Sequence, residues 1–228
     1  MNSDECVLYQ DVLLKNADEI QKHVLRFFDA ATKDISTVFA RTESGNYVVS
    51  MRSQFVVLFT YLDICASFWD LYEDVKTRSV GERFRKWVSK FCFVKENKFY
   101  VSAVYGKMNG EHLYGLRCSL VHFFGISLKR EHYIKDKVSV ALVPDDEARE
   151  RLKLSIQKRR NKGHSIVTLN PREFADLLVE GKNLMIKSWL AGLESKSDDR
   201  HKLLTHIKGM KRISDHIKID GAELVYYE

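Results

Sequence analysis

Residues 55–72 read FVVLFTYLDICASFWDLY, and this run decides the fold. Apolar side chains at Phe55, Leu58, Phe59, Leu62, Cys65, Phe68, Trp69 and Tyr72 recur three and four apart, the period of one α-helical face. Their arc is wide, so the pattern predicts a central helix that touches several neighbours at once. Asp63 and Asp70 stand seven apart and therefore share one edge of it. Those two carboxylates also argue against a membrane span here.

Working outward, apolar groups at Val12, Leu13, Ile20, Val24, Leu25, Phe28 and Ala31 predict an amphipathic helix within residues 7–40, starting near Asp11 or Asn16. Residues 43–47 form a turn. Gly81 punctuates the chain before a third helix marked by Phe84, Trp87, Val88, Phe91 and Cys92. Residues 97–105 read as an extended connector or a short helix. Asn109-Gly110 is a stop and restart, and the next helix ends near Gly125. The period then changes: Val138, Val140 and Leu142 alternate with smaller groups, and residues 165–169 are β-branched, which predicts a β-hairpin. Between these strands, Arg151, Lys153, Lys158, Arg159, Arg160 and Lys162 form a basic run, read as a helix or an exposed loop. Asn170 as N-cap, Pro171 at the first helical position and Glu173 start a helix with an apolar face through Phe174, Leu177, Leu178, Leu184, Met185, Trp189 and Leu190. Residues 195–228 are polar and basic, with one helix expected through Leu203, Leu204, Ile207 and Ile213. The expected fold is therefore mainly α. It is a single domain over residues 1–228, an up-and-down helical bundle with a small β-hairpin insert at 137–169 and a basic tail at 195–228.

Composition agrees with that class. The chain has 228 residues, enough for a real core, 45 % of them hydrophobic, and only two prolines to interrupt helices. A net charge of +6 favours polyanions such as RNA as partners. Cys6, Cys65, Cys92 and Cys118 show no metal-ligand spacing, and the tail histidines His201, His206 and His216 are poorly placed to share a metal, so neither metal nor cofactor is expected. The polar start (Asn2 to Glu5) lacks an apolar targeting segment, which makes a reducing cytoplasm the expected location, away from membranes.

Chemistry concentrates at residues 113–122, LYGLRCSLVH. Arg117 carries a fixed charge and His122 titrates near neutrality, and both lie in an otherwise apolar helix. Arg-x(4–6)-His also occurs at Arg159/His164 and Arg200/His206, so the spacing alone is uninformative. Only the first pair sits in an apolar setting, where an unpartnered charge is costly. Arg159 and His164 fall in a charged stretch, and Arg200 and His206 in the polar tail.

This segment resembles the signature helix of HEPN domains, bundles of four or five helices with an Arg-x(4–6)-His motif late in the bundle. The resemblance covers about residues 50–125, with residues 171–193 as a closing helix. It implies a metal-independent endoribonuclease, often dimeric, of defence or toxin–antitoxin systems. Carried over, Arg117 holds the scissile phosphate and His122 transfers protons, leaving a 2′,3′-cyclic phosphate. Cys118 follows the arginine where catalytic members often carry Asn, Asp or His.

Five residues of helix rotate by about 500°, leaving Arg117 and His122 about 140° apart. A shared site therefore points to a homodimer. Asp63, Asp70, Tyr114 and Cys118 are the expected supporting residues, and Lys158, Arg159, Arg160 and Lys162 a candidate RNA path. A bland reading stands beside each assignment. Arg117 then forms a structural ion pair with Asp63 or Asp70 in a non-catalytic binding or assembly module. His122 is then a helix-end histidine near the negative dipole, and the basic run a solvated face. The tryptophans, Trp69, Trp87 and Trp189, are expected in the core.

Overall fold

A computed structural model of the chain describes residues 17–73, 79–101, 105, 107–123, 138–158 and 165–194. Side chains are described for narrower spans within some helices, and the predicted tail helix at 195–228 lies outside the described residues. The architecture is mainly helical, with a two-stranded parallel sheet. The elements are α1 (Ala17–Thr37), α2 (Met51–Tyr72), α3 (Val80–Trp87), α4 (Gly110–Phe123), β1 (Val138–Leu142), α5 (Asp146–Lys158), β2 (Ser165–Leu169) and α6 (Pro171–Glu194).

The wide apolar arc of α2 has the predicted consequence. This helix packs on α1, α3, α4 and α6 together. Phe55, Leu58, Phe59, Leu62 and Cys65 are fully buried. Aromatic rings carry the contacts outward: Phe59 meets Phe84 of α3 and Phe174 of α6, while Phe68 meets Phe28 of α1 and Trp189 of α6. Edge-on and offset ring pairs of this kind add to the burial of apolar area, because ring edges and faces carry opposite partial charge. All three tryptophans are core residues, as expected. The Trp87 indole donates to Met185 Sδ at 3.1 Å, tying α3 to α6.

The ends of the helices follow local sequence signals. Ser79 and Glu82 form a reciprocal capping box at the start of α3. At α6, Asn170 Oδ1 accepts from Arg172 N at 2.8 Å and Glu173 N at 3.3 Å, and Pro171 occupies the position that needs no donor. Helix α3 runs on into a single π-helical turn, Val88–Cys92, where Phe93 N reaches Val88 O at 3.0 Å. Residues 93–99 are bends and turns, and Tyr105, whose N donates to Val101 O at 2.8 Å, is helical. The buried Asn97 fastens that connection. Its Nδ2 donates to Phe91 O and to Leu177 O, each at 2.9 Å, and its Oδ1 accepts from Phe99 N at 3.1 Å.

The predicted β-hairpin is corrected: β1 and β2 run parallel, with Val138 opposite Ser165 and Leu142 opposite Leu169. Parallel neighbours cannot be joined by a tight turn and need a crossover, usually a helix. That crossover is α5. Its start is set by Asp145, whose Oδ1 accepts from Ala148 N at 2.7 Å, and by Asp146 and Glu147 in the positive first turn. Val167 and Leu169 point into the core. Arg149 of α5 forks onto Glu173 of α6, with Nη1 to Oε1 at 2.8 Å and a second bond from Nη2 to Oε2. Asn170 Nδ2 adds a bond to Pro144 O at 3.1 Å, so the βαβ unit is fixed to the start of α6.

Asn97→Ala strips hydrogen bonds from two carbonyls in a buried setting. It is expected to lower unfolding stability by about 1–3 kcal/mol. Urea denaturation checks this: the midpoint falls while the slope stays constant.

A paired arginine on the motif helix

Helix α4 begins where the sequence placed a restart. Asn109 Oδ1 accepts from Glu111 N at 3.0 Å and His112 N at 3.1 Å. His112 returns the bond: its Nδ1 accepts from Asn109 N at 3.1 Å, so this buried imidazole completes a box usually closed by Glu or Gln. Gly110 is required by packing. A Cβ there would lie 2.9 Å from the Arg85 Cα and 3.0 Å from its carbonyl oxygen, so α3 and α4 cross closely at this point. Gly81 repeats the arrangement, with its Cβ position 3.0 Å from the Tyr114 ring.

Leu113 and Leu120 of α4 face the core, and Arg117 lies beside them with 15 % of its side chain exposed. Its partner is Asp63 of α2, itself 25 % exposed. Arg117 Nε donates to Asp63 Oδ2 at 3.0 Å and Nη2 to the same oxygen at 2.8 Å. Burial alone disfavours the charged guanidinium, but the Asp63 hydrogen bonds and opposite charge outweigh it, and Arg117 is held more firmly protonated than an ordinary arginine. Of the two acids on the α2 edge, the ion pair thus uses Asp63. Asp70 is buried two turns further along the helix.

Tyr114 sits one turn before Arg117, between two guanidinium groups. Arg117 lies 5.9 Å from its ring centroid and Arg85 5.4 Å, both within cation–π range. Phe84 packs edge-on against the same ring at 5.4 Å. Burial, then the Cys118 thiol that hydrogen-bonds to it, pushes the Tyr114 phenol above its usual range, so it is a neutral donor at physiological pH. Arg85 also grips Glu111, with Nε to Oε1 at 3.2 Å and Nη1 to Oε2 at 3.3 Å.

The structure therefore joins Arg117, Asp63, Tyr114 and Cys118 in one cluster and adds Arg85, which the sequence did not single out. The only signal for Arg85 was its position one turn after Gly81 on α3. His122 belongs to the last described turn of α4, and its side chain lies outside the described residues. The same holds for Lys158 at the end of α5, while Arg159, Arg160 and Lys162 are wholly outside them. Among the described residues, no three His, Cys, Asp or Glu side chains converge as a metal site, and no helix is long and apolar enough to cross a membrane. Compared with protein-family models, curated proteins and solved structures, the chain matches none.

A double-mutant cycle with Asp63→Asn, Arg117→Met and both together should give a coupling of about 1–2 kcal/mol. That exceeds the roughly 0.2–1 kcal/mol of exposed pairs and falls below the roughly 3–5 kcal/mol lost on breaking a fully buried one. Thermal and urea unfolding of the four proteins measure it.

Proposed function

We propose that the chain is a HEPN-like, RNA-directed protein in which Arg117 engages the RNA phosphate and His122 transfers protons. The observation that carries this reading is the setting of Arg117. Its guanidinium, on the helix that also bears His122, stands at the solvent boundary, held by Asp63 of α2, with the Tyr114 ring beside it and Arg85 against the same ring. A second cation and an aromatic ring next to a guanidinium are what a phosphate with an attached base uses. Phosphate engagement is then an exchange: the anion competes with Asp63 for the guanidinium.

The chemistry that goes with this reading is metal-independent strand cleavage. The ribose 2′-oxygen attacks phosphorus as its proton passes to His122, and the bond from phosphorus to the 5′-oxygen breaks. The leaving oxygen takes up a proton, and the other product is a 2′,3′-cyclic phosphate. Arg117 stabilises the charge that develops on the phosphoryl oxygens. Helix α4 is continuous through both residues, which keeps their directions about 140° apart. One subunit does not aim both at one atom, so the working unit is a homodimer that pairs Arg117 of one copy with His122 of the other. The basic residues Lys158, Arg159, Arg160 and Lys162 supply a path for the strand. A cytoplasmic defence or toxin-type role goes with this reading.

The Asp63 pair itself favours a second reading, a non-catalytic binding or assembly module in which Arg117 simply pins α4 to α2.

Incubation with single-stranded RNA in EDTA separates the two. Wild type is expected to generate cyclic-phosphate ends, and Arg117→Ala, His122→Ala together to lower the rate at least about 100-fold. Asp63→Asn should destabilise the fold while keeping RNA affinity. Equal cleavage by wild type and the double variant removes the nuclease reading. Lost stability in Arg117→Ala without any change in RNA affinity establishes the module.

A further inference from the structure

A cleft of about 470 Å³ opens between α1 and α6, built from elements other than α4. Its size lies within the range of small-molecule sites, about 300–1,000 Å³. Leu25 and Phe28 form the α1 wall, and Lys182, Ile186 and Leu190 form a row four residues apart along α6. The neighbouring row of α6, including Lys187, makes the exposed rim, opposite Asp29 of α1.

Lys182 is the unusual member. It is 7 % exposed, and among the described residues no hydrogen bond or ion pair holds it. The charged group nearest in kind, Asp29 on the far wall, forms no salt bridge with it. On its inner side, Lys182 acts electrostatically on the buried Cys65 thiol of α2, so its stem runs beside the core while the residue lines the cleft. Its stem is covered, while the ammonium itself keeps access to the solvent of the cleft. Among the described residues no acid is bonded to this one, and the space beside it is apolar and of ligand size.

We infer that this cleft binds a small amphipathic anion, with its anionic head on Lys182 and its apolar body along Leu25, Phe28, Ile186 and Leu190. Charge complementarity supports this occupant: the Lys182 ammonium opens on the cleft, the walls are apolar and Lys187 stands at the rim, so that the lining lysines outnumber the single acid. This site is independent of the RNA reading and stands or falls without it.

Decanoate and 1-decanol, which share an apolar body and differ in the head, are the probes. Calorimetric titration of the full chain should show saturable one-to-one decanoate binding, with 1-decanol at least about tenfold weaker. Lys182→Met keeps the stem and removes the charge. It should weaken decanoate at least about tenfold, leave 1-decanol unchanged, and melt at the same or a higher temperature when ligand-free. Lys182→Arg should retain decanoate binding, and Ala191→Trp, at the rim, should block both probes. The inference is overturned if Lys182→Met binds decanoate like wild type, if 1-decanol binds as well as decanoate, or if no saturable binding occurs.

Discussion

The structure depends on covering one helix. Helix α2 is apolar over most of its circumference, and leaving that surface in water would cost about 25 cal/mol for every Å² exposed. Four other helices pack around it, and the rings of Phe55, Phe59 and Phe68 set the directions from which they arrive. The edge occupied by Asp63 breaks that apolar surface. A carboxylate in such a place requires a cation, and α4 supplies one in Arg117. The same constraint that builds the core therefore also positions the residue on which the functional reading rests.

A second constraint acts between α3 and α4. Gly110 lets α4 approach the α3 backbone at Arg85, and Gly81 leaves room for the Tyr114 ring, while Arg85 lies over that ring and bonds Glu111. A methyl group at Gly110 would press on the Arg85 backbone and one at Gly81 on the Tyr114 ring, so either would disturb the seating of Arg85 on that ring. Two cations thus meet one ring next to two missing methyl groups. The arrangement is mutually supporting: the capped start of α4 fixes Glu111, Glu111 orients Arg85, and Arg85 covers the ring that flanks Arg117.

Much of this was legible where the signal is local. The arc of residues 55–72, the Asn109-Gly110 restart and the Asn170-Pro171 cap each depend on neighbours within a turn or two, and each element formed where expected. Strand direction was not legible, because Val138, Val140 and Leu142 alternate identically in a hairpin and in a parallel pair. The deciding information lay in the connection. The helix alternative for the basic run holds over residues 151–158, and Asp145, Asp146 and Glu147 mark its start. Asp63 and Asp70 shared an edge by spacing, yet the choice between them depends on where α4 crosses α2. Arg85 depends in the same way on which face of α3 meets α4. Lys182 had a faint signal: it interrupts the row Leu178, Lys182, Ile186, Leu190, otherwise apolar, on a helix that had to be buried.

Arg117 and Lys182 are instructive side by side. Both are cationic residues largely covered by the fold. Arg117 has an anion within the fold, so its charge is answered before any ligand arrives, and an RNA phosphate gains only the difference between itself and Asp63. Lys182 has none among the described residues, so an anion entering its cleft has no internal acid to displace. Binding energy available to a ligand is largest where the folded chain leaves an electrostatic demand unmet. By that measure the α1–α6 cleft is the more primed of the two places. The α4 cluster is the more self-contained, its reactivity depending on whether a phosphate can displace Asp63 from a guanidinium it holds through two hydrogen bonds.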